Sequence, residues 1–171
     1  MSNYLLTTDR LYLRPFQLED ALGFYTLNAD PAVLRYTGDT PFASVAAAAA
    51  FIRHYDHYAQ YGYGRWAVLD QRDTQFIGFC GLKYHPDTDE VDLGYRLRRE
   101  YWGQGMATEA ARACLDYGLD ELHLNRIIGR VVVGNLASVR VLEKIGMQRV
   151  GPLDFEGQPG WLYEARCFVK S

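Results

Sequence analysis

Apolar positions recur along this chain with two periods. "RLYLRPF" alternates Leu11 and Leu13 with polar neighbours, the period of a half-buried strand, and Pro15 ends it. "LEDALGFYTLN" predicts a helix, with Glu19 and Asp20 in the early turns where the helix dipole favours acids. "SVAAAAAFIRHYDHYAQYG" predicts a second helix: Ser44 can cap it, alanine favours it, and Gly62 stops it. Its alanine run, Ala46 to Ala50, is explained by close helix packing. "RWAVLD" and "QFIGFCGLKY" form a predicted hairpin across a polar turn, and "EVDLGYRL" follows as a third strand. The next helix places Met106, Ala110, Ala113, Cys114 and Tyr117 on one buried face. "NRIIGRVVVGN" is apolar on both faces around Val131 to Val133, which suits an interior strand. "LASVRVLEKIG" is a short helix closed by Gly146, with Lys144 near its C-terminal end. Two last strands lie near "MQRVGPL" and "WLYEARCFV".

The order is strand, two helices, three strands, helix, strand, helix, two strands. It predicts a mixed sheet with helices packed on it, α+β or α/β, with a strand-helix-strand crossover at its centre. Such a crossover sets a helix N-terminus beside a strand's C-terminal end, where anionic ligands bind. No linker and no internal repeat divides the chain, so residues 1–171 read as a single domain.

Composition narrows the picture. The net charge of −3 argues against a nucleic-acid binder, which would carry a basic excess. No apolar run is long enough to span a bilayer, and Met1 to Arg10 lacks the apolar core of a signal peptide. The expectation is a cytoplasmic protein without membrane or direct nucleic-acid partners. Cys80, Cys114 and Cys167 show no CxxC spacing, so they read as free thiols rather than a disulfide framework or zinc site. His54 and His57 stand three apart on the predicted second helix, but no third ligand accompanies them, and no metal is expected.

The stretch "REYWGQGMATEAARACLDYG", Arg99 to Gly118, puts Gly103 and Gly105 immediately before a helical pattern. Two readings fit: a tight structural turn, or a backbone shaped for close approach of a phosphate. The first amides of a helix lack intrahelical partners and can bind phosphate oxygens. A Walker loop would follow its last glycine with Lys-Ser/Thr, whereas here Met-Ala-Thr follows. A dinucleotide fingerprint would place a third glycine where Thr108 stands.

Trp102-Gly103-Gln104-Gly105-Met106-Ala107 resembles the Gln/Arg-x-x-Gly-x-Gly/Ala turn of the GNAT superfamily of N-acetyltransferases, with Trp102 departing at the first position. "YWGQGMATEA" is similar to the RimJ/RimL-type branch. "TDRLYLRPFQLEDA", "GRWAVLD" with "FIGFCGL", "VDLGYRL" and "NLASVRVLEKIGM" agree with that branch in order along nearly the whole chain. The resemblance implies a three-layer fold with a mixed, mostly antiparallel central sheet. It implies acetyl-CoA as co-substrate, no metal, and an acceptor amine on a protein N-terminus (ribosomal proteins among them) or a small molecule. The alternative is a non-catalytic acetyl-CoA-binding sensor or interaction module. A monomer or a homodimer fits equally.

By resemblance, backbone groups of Tyr95 and Leu97 would hold the pantetheine arm. Trp102, Gly103, Gln104, Gly105, Met106, Ala107 and Thr108 would hold the pyrophosphate, and Asn135 with Ser138 would reach the arm from the next helix. Arg98, Arg99, Arg140 and Lys144 are candidates for the adenosine phosphates or for plain solvated charge. Asp92 matches a position often held by glutamate and is the first candidate base, with a surface or substrate-orienting carboxylate as its other reading. Glu90, two residues earlier on the same face, is the reserve. Leu142 stands where many relatives carry a general-acid tyrosine, which moves that role to Ser138, whose other reading is capping or packing of its helix. Glu109 reads as structural. Tyr36, Trp66 and Tyr84 are candidate walls for the acceptor, Trp66 alternatively a core residue.

Overall fold

The computed structural model describes residues 3–168. Val169, which ends the predicted final strand, lies outside them, as do Met1 and Ser2 of the polar N-terminal stretch. The strands are β1 (Leu6–Thr7), β2 (Leu11–Arg14), β3 (Arg65–Asp70), β4 (Phe76–His85), β5 (Glu90–Leu97), β6 (Arg126–Val132), β7 (Gln148–Phe155) and β8 (Gln158–Arg166). They form one sheet in the order β1-β2-β3-β4-β5-β6-β8-β7. Every neighbouring pair is antiparallel except β5 and β6, which are parallel. Parallel neighbours need a crossover connection, and helix α5 (Met106–Asp116) supplies it.

The other helices are α1 (Ala21–Ala29), α2 (Pro31–Leu34), α3 (Val45–Arg53), α4 (His57–Tyr61) and α6 (Leu136–Lys144). The predicted helix from Ser44 to Gly62 is two helices. Ser44 caps α3 through Ala47 N–H, a bond worth about 1 kcal/mol, and Gly62 ends α4 in the left-handed region. Between them the chain bends at His54–Asp56, so His54 and His57 share no helical face. His54 is exposed and bonds Ala50 O. His57 is buried, with Nδ1 on Tyr63 O at 2.5 Å and Nε2 accepting from Tyr84 N–H at 2.9 Å. It is a satisfied core histidine. The strand β1 and the one-turn helix α2 were not legible, because two and four residues are too few to show a period.

Alternation divides the sheet into two faces. Leu11, Leu13, Trp66, Val68, Cys80, Leu82, Leu93 and Leu97 pack on α5 and α6 through Met106, Ala110, Ala111, Cys114, Val141 and Leu142. Ala111 and Leu115 are buried where Ala113 and Tyr117 were expected; both of the latter are half-buried. The opposite face carries Ala67, Leu69 and Phe79 against Phe24, Leu27 and Val33 of α1 and α2. The result is three layers, helix on sheet on helix. Arg14 and Asp20 form a buried bidentate pair at 2.8 Å that fixes the turn from β2 into α1.

Candidate active site

The sheet opens at one point. β5 and β6 are paired in register only at Asp92 and Ile128, after which both strands continue without each other. The direction of the freed groups follows from the other edge of β5. Arg98 N–H donates to Ile77 O on the β4 side, and antiparallel pairing with no register shift runs from Gly78–Leu97 to His85–Glu90. Backbone groups alternate direction along a strand. Arg96, Gly94 and Asp92 therefore point to β4; the bridge to Ile128 uses the Leu93 N–H, and the C=O of Leu93 with the N–H and C=O of Tyr95 and Leu97 point into the gap. Leu97 C=O is taken by the Trp102 indole N–H at 2.9 Å, which closes the far end of this edge.

The gap leads to the glycine turn. Gly103 and Gly105 have φ of +73° and +77°, a region that costs any other residue. A Cβ on Gly103 would meet nothing within 4 Å, so there the glycine serves conformation and open approach rather than packing. Gly105 is the N-cap of α5, and no side chain caps the helix. The first amide donors are left without intrahelical partners. Met106, Ala107 and Thr108 line the same cleft, which has a volume of about 1440 Å³. Gln104 faces the other way: its carbonyl accepts from Arg10 Nη1 at 2.8 Å and its side chain donates to Glu100 O. Glu109 holds this brace in place, accepting from Thr8 Oγ1, Arg10 N and Arg10 Nε at 2.6, 2.8 and 2.7 Å.

Helix α6 borders the gap from the β6 side. Asn135 caps it, its Oδ1 accepting from Ser138 N–H at 3.3 Å, and keeps its amide nitrogen as a further donor. Ser138 Oγ lies 2.6 Å from Tyr95 Oη, so a hydroxyl pair spans from β5 to α6. Burial pushes the Tyr95 phenol pKa up, against a smaller lowering by Ser138, and the phenol keeps its proton. The sequence marks Tyr95 for its backbone alone, since a hydroxyl contact across 43 positions leaves no local signal. Leu142 is buried, its methyl groups against Gly129.

On the other face of the sheet, Asp92 is held at both oxygens. Arg65 Nη2 donates to Oδ1 at 2.6 Å and His85 Nε2 lies 2.8 Å from Oδ2. Arg65 also donates to Gly81 O and Asp92 O, and Gly94 leaves the room its guanidinium occupies. Desolvation raises the Asp92 pKa, but Arg65 and His85 together outweigh it and hold the carboxyl well below the usual range. Glu90 does not line the cleft; Arg126 Nη1 binds its carboxylate at 2.9 Å. Trp66 is buried in the core, edge-on to Tyr117, and Tyr84 donates to Asp89 outside the cleft. Tyr36 lines the cleft and approaches Gly134 across it.

Of the four candidate cations, Arg99 is paired with Asp30, away from the cleft, and Arg98 with Glu100 at 3.1 Å. Arg140 and Lys144 line the cleft with no ion pair among the described residues. No group of metal-ligating side chains occurs among the described residues, and no helix there is long and apolar enough to cross a membrane.

Comparison with known proteins adds three likenesses and one family match. The family model "Acetyltransferase (GNAT) domain" matches residues 10–148. An uncharacterized N-acetyltransferase of Bacillus licheniformis is 34% identical over 166 residues, covering 95% of this chain and 93% of that one. The spermidine N-acetyltransferase of Vibrio cholerae, solved with CoA and spermine, superposes with a TM-score of 0.80 at 22% identity, covering 94% and 97%. The ribosomal-protein-S5-alanine acetyltransferase of Vibrio fischeri does so with a TM-score of 0.80 at 17% identity, covering 97% and 98%.

Proposed function

The chain belongs to the GNAT acetyltransferase family, and from that premise we propose that it moves the acetyl group of acetyl-CoA onto a primary amine by direct attack, without a covalent enzyme intermediate. The observation that carries this reading is the parting of β5 from β6 beyond Asp92, next to the uncapped N-terminus of α5. One opening thus joins a free strand edge to a cluster of free amide donors.

The residues fit acetyl-CoA. The free N–H and C=O of Tyr95 offer partners for the amide groups of a pantetheine arm. The turn Gly103–Thr108 presents backbone donors for a pyrophosphate, with open space in front of Gly103. Arg140 and Lys144 supply positive charge at the cleft. Asn135 adds a side-chain donor. The co-substrate supplies the activated carbonyl and a thiolate leaving group. The chain's own part is to align it, to direct a β5 N–H at the carbonyl oxygen as charge grows there, and to offer a proton near the sulfur from Ser138. Buried Cys80 and Cys114 have no part in this. Gln104 contributes backbone shape rather than its side chain, and Trp102 acts by closing the strand edge.

For the acceptor we propose a protein N-terminal amine or a small amine, in the manner of the RimJ/RimL-type branch. Solved neighbours named for each class share the fold. The cleft exceeds the roughly 300–1,000 Å³ of an ordinary ligand pocket, which suits two ligands meeting end to end. The deciding experiment reads free thiol release from acetyl-CoA with benzylamine, spermidine and alanyl- and seryl-peptides. Release that requires an amine supports the reading. Tight acetyl-CoA binding with no amine-dependent release across the panel would replace it with the non-catalytic sensor.

A further inference from the structure

The acceptor must lose a proton, and the cleft carries a better placed group for this than a carboxylate. Asp92, Lys83 and His85 share the sheet face opposite α5, since Lys83 pairs with Asp92 and His85 with Glu90 in the β4–β5 register. All three line the cleft, and Asp92 stands at the β5–β6 pairing beyond which the strands part. Asp92 is a weak proton acceptor, because the Arg65 guanidinium on one oxygen and His85 on the other both stabilise its ionised form. His85 has one ring nitrogen engaged, Nε2 on Asp92 Oδ2 at 2.8 Å. Its Nδ1 has no hydrogen-bond partner among the described residues, and the side chain is 26% exposed.

We propose that His85 is the proton acceptor of the transfer and that Asp92 is a positioning residue that fixes its tautomer. This rests on the acetyltransferase reading. An ionised carboxylate accepts and does not donate, so it selects the Nε2–H form and leaves the lone pair on Nδ1. Arg65 serves the same arrangement one step out: three bonds anchor its guanidinium to β4 and β5, and it keeps Asp92 ionised and aimed. The charged groups about the imidazole are Asp92 and Glu90 on β5, Lys83 on β4 and Arg65 on β3. Glu90 is turned to Arg126, which leaves Asp92 as the one carboxylate bound to the ring among the described residues.

One proton of the ammonium passes to His85 Nδ1 and on to solvent. The neutral amine forms the C–N bond as the C–S bond breaks. Its second proton leaves the nitrogen, and the departing thiolate takes one proton, so acetyl-CoA and ammonium give amide, CoA thiol and one proton.

Two measurements test the assignment. Nitrogen-15 NMR of the imidazole should show His85 as the Nε2–H tautomer in the wild type, with that preference lost in Asp92→Asn. A wild-type Nδ1–H tautomer overturns the proposal without any assay. With the amine panel above, His85→Ala should lose about 10²–10³-fold in kcat/KM near neutral pH, keep its acetyl-CoA affinity, and regain rate with added imidazole. The loss should narrow at about pH 9.5, where an α-amine is already neutral. Unchanged kcat/KM in a folded His85→Ala that binds acetyl-CoA overturns the proposal and leaves the acetyltransferase reading standing. No transfer by the wild type to any amine overturns both.

Discussion

Tyr95 and Ser138 carry the sharpest residue-scale consequence. Their 2.6 Å contact crosses the opening at the side that faces α6, and burial keeps the phenol protonated. If Ser138 passes a proton to the leaving sulfur, Ser138→Ala should slow the chemical step about tenfold to a hundredfold and leave acetyl-CoA affinity nearly unchanged. The loss is modest because a thiol of ordinary pKa about 8.5 is already a fair leaving group. Tyr95→Phe should show a similar loss, and the double variant little more than either single one, as expected of two groups in one chain of hydrogen bonds. Additive losses in single-turnover kinetics would show that the two hydroxyls act separately, and full rate in Ser138→Ala would remove the Ser138 hydroxyl from the chemistry. Leu142→Tyr does not restore the arrangement of relatives that carry a tyrosine there. Leu142 is buried in the core with its methyl groups against Gly129, so a larger phenol ring must displace its neighbours. The variant should lose about 1–3 kcal/mol of stability in urea titration, with no gain in rate. Ser138 could be singled out in the sequence by its place after Asn135. Its partner could not, since a contact across 43 positions leaves no local pattern.

Element-scale features were the most legible in the sequence, and the reasons differ from one to the next. β5, Glu90–Leu97, is legible with its bounds because the turn "HPDTD" precedes it and Val91, Leu93, Tyr95 and Leu97 alternate along it up to the charged run Arg98–Glu100. The break between α3 and α4 was not, because "HYDHY" keeps helical composition while the chain bends to bury His57. That bend is a tertiary decision, made by Tyr63 O and Tyr84 N–H. The glycine turn was legible as a choice between a plain turn and an anion site, and geometry favours the second. A Cβ on Gly105 would meet only Arg10 Nη2, at 3.5 Å, so packing does not demand glycine there. Conformation does, at φ +77°, and so does the space in front of the amides. Gly105→Glu should fold, with a backbone cost of about 1–2 kcal/mol, and lose acetyl-CoA binding by at least about a hundredfold in calorimetry. Gly105→Asn tolerates the left-handed conformation and adds no charge, so it should retain much more of the affinity. Equal binding by the Glu variant and the wild type would mean that the pyrophosphate lies elsewhere.

At the scale of the whole molecule, the same ion pairs that shape the cleft tie distant parts of the chain together. Asp92 links β3, β4 and β5 through Arg65 and His85, at the place where the sheet divides. Glu109 ties α5 to the N-terminal segment through Thr8 and Arg10. Both carboxyls are desolvated, which raises their pKa, yet their partners outweigh this and hold both below the ordinary carboxylate value. For a depressed folded-state pKa the unfolded chain binds more protons, so stability is fully present above the unfolded value of about 3.9–4.3 and falls as pH drops toward the folded one. Urea midpoints should therefore be nearly level from pH 8 to about pH 6 and decline from about pH 5 to pH 3. Asp92→Asn separates this cause from general charge repulsion. It should cost about 3 kcal/mol at neutral pH, since it leaves Arg65 half-buried without its counter-ion. It should also flatten the acid limb, because the carboxyl whose protonation drives part of the decline is gone. A variant curve that runs parallel to the wild type from pH 7 to pH 3 would show that acid stability is set elsewhere, and that the junction of the three strands holds without the charge on Asp92.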